Sequence, residues 1–296
     1  MLKIIGDSIW QTKAQTPGPR VVILGGIHGN ELTGIEVIKK LKNQIEANEL
    51  VLERGELTLA LGNLEAIKLN KRYTPDGQDL NRQFYQEHLD GPIESFYESK
   101  RAHELFPILQ GVDVCLDLHA TNKPASPFVA CARTGPRHNM LIERLQVNKV
   151  LIDPNYYLGG QAVTTDEYVF NHGGVGVCFE TGYVKDTSRI SQVYEMVLDI
   201  LSDQKMISAR TEDDRNSDFD LFEIYKRVVL TDSGFKFAPN CGQENFEPFV
   251  TGQILGYHGQ AAVVADQDGV IVFPKIKEHW RLNQPICYFA KCLLKK

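Results

Sequence analysis

Two histidines and two glutamates stand next to apolar runs of the chain, in a pattern that can build a metal-dependent hydrolytic site. His28 and Glu31 lie in the segment GGIHGNE, directly after the run VVIL. His119 follows the run DVCLDL, and Glu180 follows the run VGVCF. If these runs are parallel strands, their carboxyl ends meet at one edge of a sheet, where ligands collect in open α/β folds. The four side chains should therefore converge.

This set of side chains suits zinc. A catalytic zinc ion commonly takes three protein ligands, for example two histidines and one glutamate, and keeps one position open for water. We therefore predict that His28, Glu31 and His119 bind a single Zn²⁺ and that Glu180 is the general base for the attacking water. Asp117 lies two positions before His119 and should share its strand face, where a carboxylate can orient the imidazole.

Each of these residues also has a less specific interpretation. A His and a Glu three positions apart are common at helix starts, where the helix dipole favours a carboxylate. His119 alone is compatible with a hydrogen-bonded core histidine, and Glu180 alone with a salt bridge at a strand end. The prediction of a site rests on their shared position after apolar runs.

A second polar cluster is the segment RYTPDGQDLNRQF at residues 72–84. Its Pro-Asp-Gly sequence predicts a turn, flanked by Arg72 on one side and by Asn81 and Arg82 on the other. Two guanidinium groups and an amide can polarise a carbonyl and hold a carboxylate in a bidentate pair. A solvated charged loop is the alternative, and the position in the sequence does not decide between them.

Apolar runs alternate with amphipathic segments through residues 1–212. This alternation predicts an α/β catalytic domain with a mostly parallel or mixed sheet and helices on both faces. The predicted strands cover residues 20–24, 56–61, 113–118, 127–131 and 175–179. The predicted helices cover residues 32–45, 95–109, 137–145 and 188–201. After a polar stretch at 211–218, short β-rich pieces broken by Gly, Pro and Asn predict a small, mainly β domain over residues 213–296.

The composition limits the classes of function. The net charge of −6 argues against a nucleic-acid partner, because a binder of nucleic acid usually carries a basic surplus. No apolar run is long enough to span a bilayer, and no signal peptide is recognisable, so we expect a cytoplasmic protein with no membrane partner. The six cysteines form no CxxC pair, which favours buried reduced thiols. A homo-oligomer is compatible with this composition.

Four motifs, in their order and spacing, are similar to those of a known enzyme family. They are GGIHGNELTG, DLNR at 79–82, DLHAT at 117–121 and FETG at 179–182. Over essentially its whole length the chain resembles the aspartoacylase and succinylglutamate desuccinylase family, and HGNELTG is closer to the aspartoacylase branch. The resemblance implies a zinc carboxypeptidase-like fold and a C-terminal β domain that partly covers the active-site channel.

The resemblance also implies roles for individual residues. It implies the same three zinc ligands, with Glu180 as the base that later protonates the leaving amine. Arg72 would polarise the scissile carbonyl, and Asn81 and Arg82 would bind a carboxylate of the substrate. The implied reaction is zinc-dependent hydrolysis of the amide of a small N-acyl amino acid similar to N-acetyl-aspartate, which releases a carboxylate and the free amino acid.

Three alternatives stay open at this point. One is a metallocarboxypeptidase that acts on a peptide C-terminus, which an open groove would favour over a lidded channel. Another is a desuccinylase of a succinyl amino acid. The third is a zinc-binding protein without turnover, which would lack a ligand or the base.

The sequence departs from the family pattern in two places. Aspartoacylases carry a further substrate-binding arginine before the strand of the catalytic glutamate, and Asp166 stands at that place here. They also carry a substrate-contacting tyrosine in the C-terminal domain, and the corresponding segment 274–285, PKIKEHWRLNQP, has none. The acyl group and the amino acid are therefore left open, since losing such a carboxylate contact changes specificity more than the hydrolytic step.

Overall fold

The described part of the chain, residues 1–210 and 215–295 of a computed structural model, folds into seven α-helices and fifteen β-strands. The helices are α1 (Leu32–Glu46), α2 (Leu64–Leu69), α3 (Gln86–Leu89), α4 (Tyr97–Leu109), α5 (Pro136–Arg144), α6 (Thr165–Asn171) and α7 (Ile190–Asp203). The strands are β1 (Lys3–Gly6), β2 (Ile9–Lys13), β3 (Thr16–Gly25), β4 (Arg54–Leu61), β5 (Val114–Thr121), β6 (Phe128–Cys131), β7 (Lys149–Ile152), β8 (Val175–Tyr183), β9 (Asp220–Val229), β10 (Phe235–Phe237), β11 (Glu247–Phe249), β12 (Ile254–His258), β13 (Ala261–Val264), β14 (Gly269–Val272) and β15 (Pro285–Leu294).

Twelve of these strands form one mixed sheet. Their order is β1-β2-β4-β3-β5-β8-β6-β7-β9-β15-β14-β11. The strands β4, β3, β5 and β8 run parallel to one another, whereas β6 is antiparallel to β8 and parallel to β7. The prediction of a mostly parallel or mixed α/β sheet is confirmed. Every residue of β5 is buried, as expected for a central strand covered on both faces.

Helices pack on both faces of this sheet. On one face, α1, α5 and α7 bury apolar residues such as Ile38, Leu141 and Val197 in one core cluster with apolar residues of β3, β5 and β8. On the other face, α4 packs through residues such as Leu105 near Tyr168 of α6. The buried positions of α1 recur every three or four residues, which is the pattern that predicted this helix.

All nine elements that the sequence predicts in residues 1–212 are present, with ends shifted by a few residues. The sequence analysis did not predict β1, β2, β7, α2, α3 and α6. These elements have four to seven residues each, which is too short for a helical or strand period to be recognised.

The C-terminal region is mainly β, as predicted, but most of its strands continue the central sheet. Strand β9 pairs in parallel with β7, with Val150 opposite Leu221, and β15, β14 and β11 follow in antiparallel order. Only β10, β12 and β13 form a second sheet in the described residues. The predicted boundary between residues 212 and 213 lies outside the described residues, so the division into two domains stays a prediction.

Two further expectations concern the thiols and the membrane. All six cysteines are free, and five are buried. Among the described helices, none combines the length and the apolar character needed to cross a bilayer.

Candidate active site

The loop between β3 and α1 carries the first two candidate ligands. Strand β3 ends at Gly25, and Gly26 then adopts a φ of +69°, which glycine reaches without strain. This turn directs the chain across the edge of the sheet before α1 begins. The side chains of His28 and Glu31 are buried there.

Three side chains that can ligate a metal ion meet at this edge of the sheet. Nδ1 of His28 lies 2.8 Å from one carboxylate oxygen of Glu31, and Nδ1 of His119 lies 2.9 Å from the other. The two Nδ1 atoms are 3.1 Å apart. Burial acts to raise the pKa of Glu31, but the adjacent His28 and His119 outweigh it and hold that pKa far below its usual range. The sequence analysis named these three residues as a ligand set, and the structure brings them together.

The Nε2 atom of each histidine faces a carboxylate. Nε2 of His28 lies 2.9 Å from Oδ1 of Asp79, and Nε2 of His119 lies 3.0 Å from Oδ2 of Asp117. A carboxylate in this position keeps the proton on Nε2 and leaves the Nδ1 lone pair free. Two such lone pairs beside a carboxylate repel one another unless a cation lies between them, so these residues fit a zinc ion.

The contact of Asp117 with His119 confirms the prediction from strand parity. The role of Asp79 was missed, although it stands in the DLNR motif. Its signal was weak, because an aspartate before a turn is usually explained by the turn itself. In the structure it does cap the turn, since its Oδ1 also accepts a hydrogen bond from the backbone N–H of Asn81 at 3.0 Å.

Glu180 lies on β8, next to the cluster of His28, Glu31 and His119. It pairs in register with His119 across β5 and β8. Burial raises its pKa to about 7, and its Oε2 is buried with no hydrogen-bond partner among the described residues. Such a carboxylate is suited to accepting a proton. The sequence predicted that His119 and Glu180 follow their strands. In the structure both residues lie within β5 and β8, because the parallel ladder continues past His119 to Thr121.

Arg72 reaches the same edge from the polar segment. Its Nη2 donates to Oδ2 of Asp79 at 2.9 Å, and its Nη1 lies 3.7 Å from Oε1 of Glu31. The backbone carbonyl of Arg72 also accepts a hydrogen bond from the N–H of Gly29 at 3.4 Å. Asp79 therefore holds His28 with one oxygen and Arg72 with the other. The segment is part of the site and not a solvated loop.

Asn81 and Arg82 follow in a short 3-10 turn, Leu80–Arg82. The Asn81 side chain accepts a hydrogen bond from the backbone N–H of Thr165 at 3.1 Å, and its Nδ2 lies 3.4 Å from Nε2 of His119. Asn81 thus fastens the start of α6 to the site. Arg82 interacts with the hydroxyl of Tyr288 on β15.

One cavity lies in front of these groups. Six of the seven residues that the sequence analysis singled out line it, namely His28, Arg72, Asn81, Arg82, His119 and Glu180. Glu31 contacts both histidines instead. The C-terminal region adds Phe273, Pro274, Lys275, His279 and Tyr288 to the lining, so it borders the cavity as the resemblance implies.

The sequence of residues 17–202 matches the model of the succinylglutamate desuccinylase/aspartoacylase catalytic domain. The chain belongs to this family. A probable aspartoacylase of Nostoc sp. is 40% identical over 108 residues, which are 34% of this chain and 35% of that protein. The match therefore spans about a third of that relative's length.

Two further relatives cover most of the chain. A succinylglutamate desuccinylase of Pseudomonas aeruginosa is 25% identical over 277 residues, or 88% of this chain and 81% of that protein. The crystal structure of succinylglutamate desuccinylase from Vibrio parahaemolyticus superposes with a TM-score of 0.81 at 18% identity, over 99% of this chain and 88% of that one. At this identity the likeness establishes the fold alone.

Four cationic side chains line the cavity of this aspartoacylase/desuccinylase family member, namely Arg72, Arg82, Lys123 and Lys275. Burial and the neighbouring Arg72 and Arg82 lower the pKa of Lys275 to about 8. Burial, followed by Arg72 and Lys275, lowers the pKa of His279 to about 4, which leaves its imidazole neutral. Cations that repel one another across a cavity are stabilised by an anion between them. The sequence did not predict these positions at the cavity: no motif marks Lys275, and His279 has no partner at a spacing typical of metal ligands.

A tyrosine does reach the cavity of this family member, but it lies three residues after the segment 274–285 in which the family pattern predicts it. Tyr288 is buried on β15, and its hydroxyl donates to the carbonyl of Leu158 at 3.3 Å. Burial raises its pKa to about 12, so it stays a neutral donor beside Arg82. No local pattern in the sequence distinguishes it from a core tyrosine.

Proposed function

We propose that the protein is a zinc-dependent deacylase that hydrolyses the amide of a small N-acyl amino acid and releases a carboxylate and the free amino acid. The observation that carries this proposal is the pair of Nδ1 atoms 3.1 Å apart over Glu31, in the same cavity as the unpartnered oxygen of Glu180. Membership of the family supports the hydrolytic class. The cationic groups at the same cavity support a substrate with a carboxylate.

The ligands in this proposal are His28, Glu31 and His119. Zinc bound by them would act as a Lewis acid toward the carbonyl and would lower the pKa of water. Glu180 accepts a proton from the attacking water at its free oxygen and later donates it to the departing amine. A carboxylate whose pKa lies near 7 performs both transfers with little cost at neutral pH.

Arg72 stabilises the negative charge that develops on the carbonyl oxygen. Its guanidinium is held in place by Asp79 at 2.9 Å, so little reorganisation is needed when that charge appears. Asp79 also holds His28, and thereby sets the position of the arginine relative to the metal ligands.

The carboxylate of the amino acid binds to Arg82 and Lys275, with Asn81 as a further hydrogen-bond donor. Lys275 makes no ion pair among the described residues, and its pKa is lowered by burial first and then by the two nearby arginines. Binding an anion there removes an unfavourable interaction between cations as well as adding a favourable one.

A metallocarboxypeptidase is the second candidate in this fold. The C-terminal region lines the cavity and can thereby limit the size of the substrate, which favours a small N-acyl amino acid over a peptide. A succinyl amino acid is also compatible with the cationic groups, so the acyl group has to be found by assay.

The test is a panel of N-acetyl, N-formyl and N-succinyl derivatives of amino acids with acidic, neutral and basic side chains, together with dipeptides and tripeptides. Zinc content is measured on the same sample. We expect hydrolysis of at least one N-acyl series in proportion to bound zinc. Cleavage of peptides with no turnover of any N-acyl amino acid would overturn the proposal in favour of a carboxypeptidase.

A further inference from the structure

Three acidic residues line the inner part of the cavity, and one of them has unused binding capacity. Asp153 accepts hydrogen bonds from the backbone N–H groups of Tyr157 at 2.9 Å and Leu158 at 2.7 Å. Glu167 accepts from the backbone N–H groups of Val163 and Thr164 in the capping box of α6. Asp166 is only 4% exposed, is held by the Thr164 hydroxyl and its own backbone N–H, and makes no ion pair in the described chain.

The position of Asp166 follows from the packing of α6 on β8. A Cβ atom at Gly176 would lie 2.1 Å from the carbonyl oxygen of Asp166, so only glycine lets the helix come this close. Gly176, Cys178 and Glu180 share one face of the strand, since side chains alternate along it. Asp166 therefore packs on the face of β8 that carries Glu180, at the level of Gly176, which lies about 13 Å before Glu180 along the strand at ~3.3 Å per residue.

Part of the cavity wall is apolar. Ala130, Leu151, Cys178 and Ile224 line the cavity and belong to one apolar cluster. Burial, followed by the charge of Glu167, raises the pKa of Asp166 to about 7. A second carboxylate placed here would add a further negative charge in a poorly solvated environment, where like charges cannot all ionise.

Under the proposed function, the amino-acid half of the substrate lies nearest to this acid. Asn81, which the proposed function assigns to the substrate carboxylate, accepts the N–H of Thr165 at 3.1 Å, and Asp166 is the next residue. The charge of Glu167, on the same turn of α6, acts on Arg82. A substrate whose carboxylate binds at Asn81 and Arg82 therefore extends its side chain toward α6.

We propose that Asp166 determines the specificity of the enzyme: the preferred substrates are N-acyl amino acids whose side chain ends in a hydrogen-bond donor, an amide or an ammonium group, and those with a second carboxylate are rejected. This inference rests on the proposed deacylase function. An acidic residue in the first turn of a helix can also stabilise the helix without any role in substrate binding. The test therefore needs a readout that depends on the substrate.

The test compares pairs of substrates that differ only at the end of the side chain, where glutamine and glutamate have the same shape and norleucine lacks the ammonium group of lysine. kcat/KM is measured for N-acetyl-glutamine against N-acetyl-glutamate and for N-acetyl-lysine against N-acetyl-norleucine, at a pH above the pKa of Asp166. We expect the glutamine derivative to be preferred over the glutamate derivative by about tenfold or more, because the site leaves the second carboxylate unpaired beside a like charge. The lysine derivative should exceed the norleucine derivative by a similar factor.

The variant Asp166→Asn removes the charge and keeps the shape. We expect both preferences to fall to within about threefold, while kcat/KM for N-acetyl-norleucine changes less than about twofold. Asp7→Asn, at an exposed position on the loop after β1, is the matched control and should leave all four values unchanged.

Each other outcome has a defined meaning. Equal kcat/KM for the glutamine and glutamate derivatives in the unchanged protein overturns the inference and leaves the deacylase function intact. A uniform loss on all four substrates in Asp166→Asn assigns the residue to the stability of α6 and also overturns it. Absence of hydrolysis of every N-acyl amino acid contradicts the proposed function itself.

Discussion

Replacing Asp79 by asparagine separates its two contacts, which connect the proposed metal ligand His28 to Arg72, the residue proposed to stabilise the oxyanion. One oxygen of Asp79 lies 2.9 Å from Nε2 of His28, and the other lies 2.9 Å from Nη2 of Arg72. Asparagine keeps the size of the side chain but has one acceptor oxygen. Its amino group must then face an N–H donor, so one of the two contacts is lost.

The size of the effect follows from these contacts. A hydrogen bond that involves a charged group contributes about 1.5–3 kcal/mol. Loss of one therefore lowers either zinc affinity or kcat by roughly 10- to 100-fold, since each 1.36 kcal/mol is a factor of about ten. If the oxygen turns to His28, Arg72 loses its anchor and kcat falls. If it turns to Arg72, the imidazole is released and zinc binds more weakly.

The assay is a zinc titration followed by kcat at saturating zinc. Asp76→Asn is the control, because Asp76 lies exposed in the same turn. Asp117→Asn is the comparison, because Asp117 holds His119 but does not contact Arg72, and it should act mainly on zinc affinity. If Asp79→Asn leaves zinc affinity and kcat both within about twofold of the unchanged protein, Asp79 does not position the two groups.

Three further variants test the roles proposed for single residues. Glu180→Gln should leave the zinc content unchanged and lower kcat by about 100- to 10,000-fold, because it removes proton transfer but no ligand; near-normal turnover would rule out the base assignment. His119→Ala should lower the zinc content measured by metal analysis, and full occupancy would exclude it as a ligand. Arg72→Ala should lower kcat by about 100- to 1,000-fold with little change in KM, whereas an effect on KM alone would mean that Arg72 only binds the substrate.

Much of the candidate site was predictable because it depends on local patterns. The apolar runs before His28, His119 and Glu180 are continuous, as buried parallel strands require, and the carboxyl ends of such strands share one edge of a sheet. The parity of a strand is equally local, and it placed Asp117 on the same face as His119. These features would hold for the sequence under any arrangement in which β3, β5 and β8 are parallel neighbours.

The tertiary structure alone decided which residues border the cavity beyond the metal site. Tyr288 and Lys275 meet Arg82 only because β9 and β15 extend the central sheet, and nothing in their own segments predicts that pairing. Asp166 became a cavity residue because Gly176 lets α6 lie close against β8. The sequence by itself predicted that His28, Glu31, His119 and Glu180 converge, since strand period and strand ends are local properties. The cavity groups proposed to select the substrate come from distant segments, and their contacts exist only once those segments pack together.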